Sequence, residues 1–237
     1  MDDQAGLARI ASEPARAAIL LDVDGTLAPI VDRPEDARVP VETRAELERL
    51  RDRYALVACV SGRRSDDARR VVGVDGLVYV GAHGLELAPD AERYRDDLHA
   101  LADEVDWPIE DKDLTLAFHY RDVDDEEAAV ERLERVADLA AEHGLKTRWG
   151  RKVLEVLPPV EVHKGTAVRA LLEARGLRRA LYAGDDSTDL DAFRALDGLD
   201  ASVRIAIVSE EAPSDLGIGA DVVVGSPQAL LELLRRL

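Results

Sequence analysis

Residues 17–27 read Ala17-Ala18-Ile19-Leu20-Leu21-Asp22-Val23-Asp24-Gly25-Thr26-Leu27. The apolar run that ends at Leu21 is short and uninterrupted, the pattern of a buried strand, and Asp24-Gly25 behind it is a turn signal. Two carboxylates two positions apart at a strand end can act as nucleophile and proton donor, or as metal ligands. A turn alone accounts for Asp24-Gly25 but not for the rest of the run. The stretch therefore predicts a strand that delivers chemistry at its carboxyl end.

Further apolar runs repeat this beginning. Tyr54–Val60 stops at Ser61-Gly62, Leu77–Val80 at Gly81-Ala82-His83-Gly84, and Ala180–Ala183 at Gly184-Asp185-Asp186, with two more strands predicted at Val203–Val208 and Asp221–Val224. Amphipathic stretches lie between them, at Pro40–Arg53, where Pro40 suits a helix start, and at Lys164–Arg175, Ser187–Leu196 and Pro227–Leu237. Alternating strands and helices imply an α/β fold with a mainly parallel sheet covered on both faces, and in such sheets ligands gather at the carboxyl ends of the strands. Between about Pro89 and Pro159 the rhythm changes to helix (Arg93–Val105), strand (Leu114–Arg121), helix (Glu126–His143) and two strands (Lys146–Trp149, Lys152–Leu157). The second helix carries Val130, Leu133, Val136, Ala137 and Ala140 on one face, as a helix covering a small sheet does. We expect a core of residues 1–88 and 160–237 and an inserted α+β domain of residues 89–159, joined at Pro89-Asp90 and Pro158-Pro159.

Three more segments carry chemical groups at strand or helix ends. Ser61-Gly62-Arg63 offers a hydroxyl and backbone N–H groups to a phosphate oxygen, although taken by itself the serine is better explained as a helix N-cap. Gly184-Asp185-Asp186-Ser187-Thr188-Asp189-Leu190-Asp191 holds four carboxylates within seven residues. Capping and the helix dipole account for part of that density. Like charges about 4 Å apart repel by roughly 1 kcal/mol in water and about 4 kcal/mol at a partly buried site, so such a cluster calls for a cation. Oxygen-only ligands select a hard divalent ion, and Mg²⁺ held by few carboxylates together with water and phosphate fits best. Lys164 stands at a helix start, where its charge opposes the dipole, which argues for a role beyond the surface.

These four segments, in this order, resemble the haloacid dehalogenase-type phosphohydrolases. The resemblance implies a Rossmann-like core with an inserted cap of the C2 type. It implies that Asp22 attacks phosphorus and Asp24 protonates the leaving group, with Asp24 raised in pKa relative to Asp22. It further implies that Thr26, Ser61, Gly62 and Lys164 bind the phosphoryl group. Asp22, Asp24 and Asp185 would be the ligands of Mg²⁺, with Asp186 and Asp189 behind them. A narrower set of motifs is similar to trehalose-6-phosphate phosphatases: Asp22 through Ile30, Gly81-Ala82-His83-Gly84-Leu85-Glu86, Phe118-His119-Tyr120-Arg121, Val153-Leu154-Glu155-Val156, and Gly184 through Asp189 with Asp191-Ala192-Phe193. This resemblance implies a sugar phosphate substrate, read in the cap by Glu110, Lys112, Arg121, Arg151 and Glu155, and a cap that closes over it. Val23 and Leu190 stand where the family often has an aromatic residue and a glutamate.

Other readings fit less well. Cys59 and Arg64 are one residue short of the C-x₅-R of cysteine phosphatases, and Cys59 lies mid-strand, as a core thiol would. The glycines near Gly81 do not form a dinucleotide fingerprint. His83 and His119 are explained equally by substrate contact or by structural hydrogen bonds. A receiver-like phosphoacceptor module shares acidic strand ends and a lysine but lacks an inserted domain, and a non-catalytic binding protein would not need every reactive group. The same chemistry on another sugar or polyol phosphate is the nearest alternative.

The 237-residue chain has 49 acidic and 31 basic residues, a formal charge of −18, which disfavours nucleic acid and anionic membranes as partners. Its single cysteine excludes an internal disulfide framework and a multi-thiolate zinc site. The longest apolar run, Tyr54–Val60, is too short to cross a bilayer, and Met1–Arg16 is polar without a signal-like segment, so a soluble cytoplasmic protein is expected. Only four of the basic residues are lysines, and aspartate outnumbers glutamate 29 to 20. That balance resembles proteins of salt-accumulating halophiles, although an arginine-favouring genome explains the lysine deficit without the aspartate excess.

Overall fold

In chain order the elements are α1 (Asp3–Ala11), β1 (Ala18–Leu21), α2 (Val41–Arg53), β2 (Leu56–Val60), α3 (Ser65–Val72), β3 (Val78–Val80), α4 (Arg95–Glu104), β4 (Glu110–Asp111), β5 (Leu116–His119), α5 (Glu126–Glu142), β6 (Lys146–Gly150), β7 (Val153–Leu157), α6 (Lys164–Glu173), β8 (Arg179–Gly184), α7 (Asp189–Ala195), β9 (Ala201–Ile207), β10 (Val222–Val224) and α8 (Pro227–Leu234). They belong to a computed structural model that describes residues 3–31, 33–121, 123–150, 152–208, 213 and 215–237. The chain divides into two compact units, residues 1–84 with 162–237, and residues 85–161.

The first unit is built on a six-stranded parallel sheet in the order β10-β9-β8-β1-β2-β3. The strands are apolar on both faces because both faces are covered. Ile19 and Leu21 of β1 join Val57 and Cys59 of β2 in a cluster with α1, α2, α3 and α8, through Ile10, Leu47, Val71 and Leu230. Ala18 and Leu20 point the other way, into a cluster with Tyr182, Val168 of α6 and Phe193 of α7. The strand order reverses at β1, which pairs with β2 on one side and β8 on the other. Such a switch point leaves a crevice beyond the carboxyl ends of the flanking strands, and Asp22 is the first residue beyond β1.

The second unit has an antiparallel sheet in the order β4-β5-β7-β6. Leu116, Phe118, Leu154 and Val156 face α4 and α5, packing on Leu98, Leu101, Leu133 and Val136. Asp125 caps α5 by accepting from the Ala128 N–H at 3.0 Å. On the opposite face the register aligns Glu110, Ala117, Glu155 and Arg148 in one row across the four strands.

The structure corrects the sequence reading at four places, one of them the two-residue strand β4 at Glu110–Asp111, where no strand was expected. Residues 3–11 form a helix that was not expected, anchored by Leu7 and Ile10 with Ala11 packed beside them. Ser61 does not cap a helix, since α3 begins four residues later, at Ser65, with Arg64 at its N-cap. The helix expected from Ser187 starts at Asp189, because 187–188 are held in a turn by Asp186 and Asp189. Among the described residues no helix is long and apolar enough to cross a membrane.

Candidate active site

Three loops and one helix start of the first unit carry the expected groups. The Asp22 N–H donates to the Ala183 carbonyl at 2.9 Å, tying the loop after β1 to β8. The chain then folds back, with the Leu27 and Ala28 N–H groups both donating to the Val23 carbonyl. Gly25 makes this possible. Its φ is +74°, and a Cβ there would lie 2.0 Å from Asp185 Oδ2, so only glycine lets the loop meet the acidic segment after β8. Thr26, fully buried, donates its hydroxyl to Asp185 Oδ1 at 3.1 Å.

Asp189 organises the rest. Its Oδ1 accepts from Lys164 Nζ and from the Tyr182 hydroxyl, each at 2.7 Å, and its Oδ2 accepts from the backbone N–H groups of Asp185 and Asp186, each at 2.9 Å. Four donors occupy the roughly four lone-pair sites of a carboxylate. Lys164 Nζ also lies 3.0 Å from Asp22 Oδ1, so one buried ammonium bridges the two aspartates. The helix behind it is fixed by a reciprocal cap: the Gly165 N–H donates to His163 Nδ1 and the His163 N–H donates to Thr166 Oγ1, each at 3.1 Å.

Asp22, Asp185 and Asp189 place carboxylate oxygens within 4.8 Å of one another. Three carboxylates face one ammonium, and the electrostatics follow from that imbalance. Burial pushes the Asp22 carboxyl well above its usual pKa; Lys164 opposes this, and Asp189, Asp185 and Asp24 add to it. Burial, then the charge of Asp189, push Asp185 up to about 7 against the opposing effects of Lys164 and Thr26. Burial disfavours the Lys164 ammonium, but Asp189 and Asp22 more than offset it and hold the group charged.

Asp24 is placed differently from the expectation. Both of its oxygens are taken by the guanidinium of Arg63, with Nε 2.6 Å from Oδ2 and Nη2 2.7 Å from Oδ1, and it is not among the three clustered carboxylates. The carboxyls pushed up in pKa by burial and by neighbouring carboxylates are Asp22 and Asp185. Asp186 is exposed and turned to Ser187, whose N–H it accepts at 2.6 Å. Ser61 is buried at the end of β2, its Oγ accepting from the Arg63 N–H at 3.2 Å. A Cβ on Gly62 would lie 2.6 Å from His83 Nε2.

Within the second unit, Lys112 Nζ lies 3.5 Å from Glu110 and 3.6 Å from Glu155, Arg148 donates to Glu155, and His119 Nε2 is 2.8 Å from Glu110. The hydrogen bond with His119, against the cost of burial and aided by Lys112, holds Glu110 below the usual carboxylate range. Arg121 stands in an exposed turn after β5 and is not part of this network among the described residues, and Arg151 lies outside the described residues. Sequence reasoning missed Arg63, Tyr182 and Arg148. Position relative to a strand end singles out Arg63, but nothing local marks Tyr182 or Arg148.

A family model described as trehalose-phosphatase matches residues 20–216. The trehalose-phosphate phosphatase of Mycobacterium avium is 33% identical over 246 residues, covering 93% of this chain and 61% of that protein. A Mycobacterium tuberculosis protein named as an uncharacterized glycosyl hydrolase is 38% identical over 213 residues, 76% of this chain but 15% of that protein. The chain thus spans less than two thirds of the length of these curated relatives. Among solved structures, a trehalose-6-phosphate phosphatase related protein matches with a TM-score of 0.75 and 25% identity, covering 92% of this chain and 96% of that one. The C-terminal domain of the Candida albicans trehalose-6-phosphate phosphatase matches with a TM-score of 0.73 and 22% identity over 99% of this chain and 95% of that one.

Proposed function

The chain belongs to the trehalose-phosphatase family, and from that premise we propose that it hydrolyses trehalose 6-phosphate to trehalose and phosphate, with Mg²⁺ and through a phosphorylated Asp22. The observation that carries the proposal is the pairing of Asp22 with Asp185 beside a buried lysine, at the switch point of the sheet.

The donor set fits a hard divalent cation. It is all oxygen, it carries more negative charge than Lys164 balances, and two of its carboxyls are driven toward their neutral forms by burial and by one another. Asp22 and Asp185 would hold the ion, since the oxygens of Asp189 are already engaged by four donors. Bound there, Mg²⁺ would offset the repulsion between these carboxylates and an incoming phosphate dianion.

The chain's own groups divide the reaction as follows. Lys164 attracts the phosphoryl oxygens and opposes the upward push that burial gives the Asp22 carboxyl. Ser61 and backbone N–H groups of the loop after β1 bind the same oxygens, and Thr26, whose hydroxyl is given to Asp185, holds that carboxylate in place. Asp22 attacks phosphorus in line as the bond to the sugar oxygen breaks, and Asp24 gives that oxygen its proton. Water then attacks the phosphorylated Asp22, Asp24 takes the water's proton, and both carboxyls return to their starting forms. Selection of the sugar is assigned to the second unit, whose sheet sets Glu110, Lys112 and Glu155 together on a polar face suited to the hydroxyls of a disaccharide.

Phosphate release measured across a panel of sugar phosphates, with Mg²⁺ and with EDTA, tests this reading. Rapid release from trehalose 6-phosphate that EDTA abolishes supports it. Negligible release beside efficient use of another sugar or polyol phosphate replaces the substrate, and release unaffected by EDTA removes the metal.

A further inference from the structure

The reaction set out above gives Asp24 opposite duties in successive steps, and the accuracy of both depends on where its carboxyl points. The structure holds that carboxyl on both oxygens with one side chain. Arg63 Nε and Nη2 reach Oδ2 and Oδ1 at 2.6 and 2.7 Å, while its remaining nitrogen, Nη1, reaches Asp67 Oδ2 at 2.6 Å. Asp67 lies in the first turn of α3, and its other oxygen accepts from Arg70 Nε at 3.0 Å. Burial would raise the Asp67 carboxyl, but the hydrogen bonds from Arg63 and Arg70 hold it below the usual range. Arg63 is fixed from the backbone as well, its carbonyl accepting from the Ala82 N–H at 2.8 Å, and its side chain is only 12% exposed. A planar fork anchored at one end and bidentate at the other dictates the plane of the carboxylate it grips, which a lysine ammonium cannot do.

We propose that Arg63 is a positioning residue of the phosphatase reaction: anchored on Asp67, it sets the rotamer and plane of the Asp24 carboxyl that exchanges the proton with the leaving sugar and then with water. The inference rests on the reading of Asp24 as acid and base. Arg63 itself neither gains nor loses a proton. In the first step the Asp24 proton passes to the sugar oxygen as that oxygen takes the electron pair of its bond to phosphorus. In the second, the attacking water's proton passes to Asp24 as the bond between phosphorus and Asp22 breaks.

The test compares wild type, Arg63→Ala, Arg63→Lys, Asp24→Asn and the double variant Asp24→Asn/Arg63→Ala on trehalose 6-phosphate and on p-nitrophenyl phosphate, whose leaving group departs without a proton. A misplaced catalytic group can cost about 100-fold, and a kcat loss of that order is expected for Arg63→Ala on trehalose 6-phosphate, with KM changed far less and a much smaller loss on the aryl ester. Added guanidinium ion should recover a good part of the Arg63→Ala loss, and Arg63→Lys should recover little. In the Asp24→Asn background, removing Arg63 should add no further loss. Equal losses on both substrates, full activity in Arg63→Lys, or an additive loss in the double variant would each overturn the assignment. A wild-type protein that releases no phosphate from either substrate instead overturns the proposed function, an outcome visible before any variant is compared.

Discussion

Asp185 and Asp189 lie four residues apart yet do different work. Asp189 is saturated by four hydrogen bonds and serves as the pillar on which Lys164 and the loop after β8 rest. Asp185 accepts the Thr26 hydroxyl and is raised to about 7 by burial and by Asp189. The sign of its contribution to stability follows. Between its ordinary value of 3.8 and about 7, the folded protein keeps a proton that the unfolded chain has released, so this group's contribution falls as pH rises through that window. In EDTA, Asp185→Asn should therefore melt higher than wild type at pH 8, and the gap should close toward pH 5. With Mg²⁺ at pH 8 the order should reverse, because the variant lacks a ligand. A gap independent of pH would contradict the raised pKa. Val23 illustrates the opposite situation: it separates two reactive aspartates but is fully buried in the core.

At the scale of elements, β1 was legible because its apolar run ends abruptly in carboxylates, and its neighbours ended as abruptly, β2 in Ser61-Gly62 and β8 in Gly184-Asp185-Asp186. The position of Asp22 and Thr26 could be read for the same reason, and that of Lys164 from its place at a helix start. What escaped was set by contacts distant in sequence. Helix α1 presents Leu7 and Ile10 with the small Ala11, a short and weak periodic signal, and it packs where β9 offers Val203 beside Gly6. Tyr182 reads as one more core residue until its hydroxyl is seen on Asp189. Arg148 is tied to Glu155 through strand register, which no local pattern reveals. In the second unit, Ala117 leaves room between Glu110 and Glu155, and the two glutamates share Lys112. Glu155→Ala should therefore weaken use of trehalose 6-phosphate in both KM and kcat, since remote binding energy is spent on the reacting centre, while p-nitrophenyl phosphate hydrolysis stays close to wild type. An equal loss on both substrates would show that Glu155 supports folding rather than sugar recognition.

At the scale of the whole molecule, the formal charge of −18 is carried mainly by surface aspartates and glutamates, and it repels itself in dilute buffer. Raising salt from about 0.1 M to 1 M shortens the screening length from about 10 Å to about 3 Å. The melting temperature should accordingly rise between low and molar KCl, and a flat or falling curve would remove the salt-adapted reading of the composition. The central claim is narrower than this balance of charge: a carboxylate oxygen of Asp22 captures phosphorus. Rapid quenching of the Mg²⁺-loaded protein during turnover of phosphate-labelled trehalose 6-phosphate, followed by peptide mapping, tests it directly. Label should appear on Asp22 alone in the wild type, and Asp22→Asn should be folded with neither label nor turnover. Turnover by Asp22→Asn, or label on another residue, would contradict it.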